Sequence, residues 1–140
     1  MAFLQSCLLR LKTQEIVNKL INLGYEFPAK FHHLQNLVTI PYKGHGWGTL
    51  IALKDENVEE FLELNRHNTI DCGTNEKLFF ALSALNDRTD IMQWFVSERG
   101  NWFLCVVKKF DINLANWLCC DRKNEWHKAT VEELIEHFSR

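Results

Sequence analysis

The sequence predicts an α+β fold for residues 1–140, a single globular domain with three to four helices packed on a mostly antiparallel sheet. Three observations carry this. Thr130-x-x-Glu133 is a capping box, and Val131, Leu134, Ile135 and Phe138 follow it at i, i+3, i+4 and i+7, the pattern of an amphipathic helix. Ile91–Ser97 and Trp102–Lys108 are β-type runs around a Glu98-Arg99-Gly100-Asn101 turn, which predicts a 91–97/102–108 hairpin. The chain is 46% apolar and 24% charged, ordinary for a folded protein, and has no repeat, linker or low-complexity tract. A length of 140 residues suits one core.

The elements follow in order. Phe3, Leu4, Cys7, Leu8 and Leu11 allow either helix or strand over 3–11. Ile16, Val17, Leu20, Ile21 and Leu23 predict a helix over 14–23, with Thr13 as N-cap and Gly24 as the stop. Phe27 to Gln35 reads as a loop. Leu37–Ile40 and Thr49–Leu53 are strand runs around Gly44-His45-Gly46-Trp47-Gly48, which holds three of the six glycines. Asp55 or Asn57 can cap a helix bearing Val58, Phe61 and Leu62, and Asn57 to Glu60 has capping-box spacing. Thr74 can cap a helix over 75–86 whose apolar stripe (Leu78, Phe79, Phe80, Ala81, Leu82, Ala84, Leu85) is too wide for a surface helix, so it is expected at the centre. Asp111–Leu118 is either a short capped helix or an irregular connection, and Trp117–Cys120 has the composition of a strand.

Net charge is −2, which argues against a polyanionic partner. Nucleic acid is not expected, and no stretch approaches the length of a membrane span, so no membrane is expected either. The five cysteines, Cys7, Cys72, Cys105, Cys119 and Cys120, form no disulfide framework and suggest free thiols in a reducing cytoplasm. Leu4-Gln5-Ser6-Cys7 lacks the charged region and apolar run of a signal peptide.

Cys72 is the candidate nucleophile, because it precedes a helix N-terminus whose partial positive charge favours a thiolate. Asp71-Cys72 followed by a helix and strands is similar in layout to papain-like hydrolases of the NlpC/P60 kind, where a later His acts as base. His127 is the only His in the corresponding region. It lies directly before a helix cap, and the glycine-rich strand of those enzymes is missing, so no family is claimed. Asp71 also opposes ionisation of the neighbouring thiol. The 44–48 glycines are spaced wrongly for a kinase loop, and no Gly-Lys-Ser/Thr marks a P-loop. His32, His33, His45, Cys105, Cys119, Cys120 and His127 have no metal-site spacing, so neither a metal nor a cofactor is expected.

Five Trp and ten Phe are a surplus. Trp94, Phe95, Trp102 and Phe103 on the hairpin, near Lys108-Lys109, have the composition of a single-strand stacking platform, although no RNA-binding motif accompanies them. Core packing accounts for most of these rings. Trp47 and Trp126, in glycine-rich or polar surroundings, and His45 are the candidate binding-surface residues. The leading expectation is a cytoplasmic, non-enzymatic protein-binding or regulatory module, with a protein partner or self-association. The alternatives are a thiol hydrolase or transferase using Cys72 and His127, and a single-stranded nucleic-acid binder using the hairpin.

Overall fold

The computed structural model describes residues 5–10, 13–27, 35–41, 47–119 and 125–139. The fold is α+β, and the described residues form five helices, a four-stranded sheet and a three-stranded sheet. The first sheet has strand order β3-β2-β1-β4, built from Gly48–Leu53, Asn36–Pro41, Ser6–Leu9 and Thr69–Asp71. β1 pairs antiparallel with β2 and parallel with β4, placing Cys7 opposite Thr39 on one side and Ile70 on the other. The second sheet has order β6-β5-β7, from Trp102–Cys105, Gln93–Ser97 and Trp126–Lys128, all antiparallel.

The apolar runs of the first sheet follow from burial on both faces. Leu8 and Val38 point one way, onto Val58, Phe61 and Leu62 of α2 (Asp55–Leu64). Cys7, Leu9, Leu37 and Leu50 point the other way, into the main core. There they meet Ile16, Val17 and Leu20 of α1 (Gln14–Leu23) and Leu78, Phe79, Ala81 and Leu82 of α3 (Glu76–Ser83). Val96 of β5 and Leu134 of α5 (Val131–Phe138) belong to the same cluster, so both sheets share one core. Phe79 is the largest of its fully buried side chains.

Both ends of α3 are tied down. Asn75, the N-cap, accepts from Leu78 N–H at 3.0 Å and donates to the Phe138 carbonyl at 2.7 Å. Helix C-termini leave carbonyls without intrahelical partners. The Ser83 carbonyl here accepts from the Tyr25 hydroxyl at 2.6 Å. The Ala84 carbonyl accepts from the Trp47 indole at 2.9 Å and from the buried Gln93 amide.

Thr13, Gly24 and the Thr130–Glu133 capping box act as expected. Several details differ. Residues 6–9 form a strand, because that lets the chain start pair with β2 and β4. Asn75, not Thr74, caps α3, and the helix ends at Ser83 because Ala84 turns to meet Gln93. Asn57 lies inside α2, which starts at Asp55 with acidic residues in its first turn, so no Asn57–Glu60 capping box forms. β5 begins at Gln93, since Met92 takes a left-handed backbone conformation with φ 59°. β6 ends at Cys105, and Ile112–Cys119 is a helix, α4, which brings the helices to five in place of three or four.

Two glycines with left-handed backbone, Gly48 (φ 144°) and Gly100 (φ 84°), give a matched test of this packing. A Cβ on Gly48 would fall 2.0 Å from the Ile40 carbonyl oxygen across the β2–β3 pair, whereas one on Gly100 meets nothing within 4 Å. Gly100→Ala should therefore cost only the left-handed penalty of about 1–2 kcal/mol. Gly48→Ala should cost clearly more, because it must also push β2 and β3 apart. Urea unfolding of both variants checks the order.

Candidate functional site

The outward surface of α4 departs most from ordinary surface chemistry. Asp111 begins the helix, its carboxylate accepting from the N–H groups of Asn113 and Leu114 at 3.0 and 3.2 Å. Ala115 is buried inward, and Asn116 beside it accepts from the Trp126 indole N–H at 2.8 Å. Phe110 stacks on Phe95 at 3.9 Å between ring centroids and so fastens the helix to the second sheet. A surface helix normally shows solvent its polar face. Here Leu114, Trp117 and Leu118, at i, i+3 and i+4, point outward, with Trp117 78% and Leu118 57% exposed. Val106 and Val107, just after β6, are exposed as well, as is Ile112 at the start of the helix on the side opposite the triad. Lys108 and Lys109, which precede the helix in sequence, are exposed and without an ion pair among the described residues.

No known family model, curated protein or solved structure matches the chain.

The candidate nucleophile lies elsewhere. Cys72 follows β4, with its N–H on the Leu8 carbonyl at 2.8 Å and its sulfur 3.9 Å from the Ile70 carbonyl. It is 6% exposed. A hydrogen bond with the Cys7 thiol, burial and the nearby Asp71 charge all push the Cys72 thiol far above its ordinary pKa. The helix-terminus effect is overridden. Asp71 turns outward to Arg10, at 2.8 Å, and to the Gly73 N–H. That hydrogen bond to Arg10, against partial burial, holds the Asp71 carboxyl below its ordinary range.

His127 sits on β7, half exposed, with Nε2 between the Glu133 oxygens at 2.8 and 3.0 Å. No hydrogen bond joins His127 to Cys72 among the described residues. Cys72 is thus a buried thiol of raised pKa, and the partner of His127 is Glu133.

Trp47 is half-buried, packed against Gly24 and bonded to Ala84, and Trp126 is half-buried against Phe103 and Phe110. Both act as tethers. His45 lies outside the described residues, as do His32, His33 and Cys120. Among the described residues no group of three or more His, Cys, Asp or Glu converges as a metal site requires. Among the same residues no helix is long and apolar enough to cross a membrane.

The hairpin rings also have internal partners. Trp102 stacks on His137 at 3.8 Å, Trp94 meets Phe138 edge-on, and Phe103 meets Phe110. Trp117, absent from the sequence candidates, was detectable from its spacing to Leu114 and Leu118 once Ala115 was taken as the buried position.

Iodoacetamide on the native protein at neutral pH should leave Cys72 unmodified while partly exposed Cys119 reacts, as mass spectrometry of the digest would show. Prompt alkylation of Cys72 would restore the thiol chemistry. A second outcome concerns acid stability. Partial burial pushes the Glu133 carboxyl up, but the Thr130 N–H and His127 outweigh it and hold its pKa below the usual 4.5. This contribution to stability is present above the unfolded value and lost as pH falls through the folded one. Glu133→Gln should flatten the acid side of the stability–pH curve, read from urea midpoints between neutral pH and about pH 3.

Proposed function

We propose that the protein is a binding module that presents α4 as an anchor helix to an apolar groove on a partner protein. The observation that carries this reading is the outward Leu114–Trp117–Leu118 triad. Apolar anchors at i, i+3 and i+4 are the pattern of helix-in-groove recognition, and a protruding Trp is the residue type most often found as an interface hot spot.

Geometry favours a groove over a second copy of the chain. Eight helical residues span about 12 Å. Two such helices laid side by side bury far less than the ~800 Å² per partner of a standard interface. A groove covers the outward triad on both flanks, which a second helix of the same length laid alongside cannot do. The uncommitted Lys108 and Lys109 suit a groove rimmed with carboxylates. The same composition suits an anionic lipid surface, but the short helix and the net charge of −2 favour a protein. The buried Cys72 and the internally packed hairpin rings support neither the hydrolase nor the nucleic-acid reading.

The test places a photo-crosslinking amino acid at 117 and, as control, at the exposed Lys54. A discrete adduct from 117 alone is expected. With the adduct partner purified, Trp117→Ala should weaken binding by at least about 2 kcal/mol, a factor of roughly 30. The same variant should change folding stability by less than about 0.5 kcal/mol. Equal affinity for the Trp117→Asp/Leu118→Asp variant would overturn the reading, as would binding to anionic vesicles and not to protein.

A further inference from the structure

A second site stands apart from α4. Between α1 and α3, closed below by β5, β6 and the end of α5, lies a cleft of about 430 Å³. That volume falls within the range of about 300–1,000 Å³ typical of small-ligand pockets. Its floor is apolar and largely aromatic, with Ile16, Phe80, Trp94, Leu104 and Phe138. Three of these are partly uncovered rings, and Trp94 and Phe138 meet each other edge-on at 5.5 Å between centroids. A flat ring inserted there gains both stacked and edge contacts.

The rim carries Glu15 and Lys19 from α1 and Glu76 and Lys77 from α3, formally neutral in sum. Their engagement is unequal. Glu15 is paired with Lys19 at 3.6 Å, and Glu76 accepts from the Thr13 hydroxyl at 2.9 Å. Lys77 is exposed and has no hydrogen bond or ion pair among the described residues. A ligand with an apolar ring and a negative end therefore finds an ammonium group that no protein carboxylate has claimed.

From this geometry we propose that the cleft binds an aryl carboxylate, with its ring against Phe80, Trp94 and Phe138 and its carboxylate at Lys77. None of the α4 residues lines the cleft, so this site and the protein-docking surface stand or fall separately.

The Trp94 indole N–H, which carries no hydrogen bond among the described residues, is the reporter. Its two-dimensional NMR resonance is assigned with Trp94→Phe, and 2-naphthoate is titrated into the 140-residue chain. A saturable shift of that resonance is expected. Affinity should exceed that of neutral 2-naphthalenemethanol by about three- to fivefold, the modest gain of an exposed ion pair. Lys77→Gln, an exposed change that leaves the core alone, should abolish that advantage without affecting the alcohol, and Lys109→Gln should leave both ligands unchanged. The proposal is overturned by the absence of a saturable Trp94 shift at millimolar naphthoate. It is equally overturned if 2-naphthylmethylammonium binds as well as the carboxylate, if Lys77→Gln retains the advantage, or if the shift appears at Trp117 instead.

Discussion

The two sheets are held together through the C-terminal end of α3. A buried helix terminus must find partners for its last carbonyls, because no water reaches them. In this protein the partners come from three directions. Tyr25 reaches in from behind α1, Trp47 from the entrance of β3 in the first sheet, and Gln93 from β5 in the second. Gln93 is 1% exposed, and its oxygen also accepts from Asn86 N–H, so a fully buried amide is satisfied at both ends. Net hydrogen bonds of this kind contribute about 1 kcal/mol each, whereas leaving one buried partner unmatched costs about 1–3 kcal/mol. The junction is thus stabilised mainly by the penalty for breaking it. Phe79, one turn earlier, is fully buried in the main core.

This arrangement consumes nearly every feature that looked functional in the sequence. Trp47 becomes a tether and Cys72 a core thiol beneath the first sheet. Trp94, Trp102 and Phe103 become packing between the second sheet and its neighbours. α4 is left over. Its short inward side, Ala115 and Asn116, offers little to bury, and Phe110 fixes it in place from one end. Leu114, Trp117 and Leu118 face out. Exposed apolar surface of this kind weakens no fold by itself, but it carries an unused driving force of about 25 cal/mol for each Å² that a partner can cover.

The sequence announced those elements whose signals are local. The α5 capping box, the Thr13 cap, the Gly24 stop and the Gly100 turn all depend on residues within a few positions of one another. Three-residue strands carry no such signal. β4 and β7 exist because β1 and β5 offer them an edge, a tertiary fact that no window of sequence contains. α4 was ambiguous because Trp117, Leu118 and Cys119 run together as they would in a strand, and only the inward Ala115 reveals the helical phase. Cys72 was singled out for the helix that follows it, but its ionisation is decided by Cys7, sixty-five positions away in sequence, and by burial. The exposed apolar side of α4 was partly legible for the same reason in reverse, since the surplus of Trp is a compositional fact but its exposure at 117 is not.

The decisive measurement is solvent access at the five tryptophans in one experiment. In protein labelled with 5-fluorotryptophan, a soluble nitroxide broadens each fluorine resonance in proportion to its exposure. The Trp117 resonance, assigned with Trp117→Phe, is predicted to broaden most, with Trp47, Trp94, Trp102 and Trp126 all less affected. A Trp117 resonance as protected as that of Trp94 would mean that α4 turns its apolar side inward, and would contradict the account of this helix as an unpaired anchor.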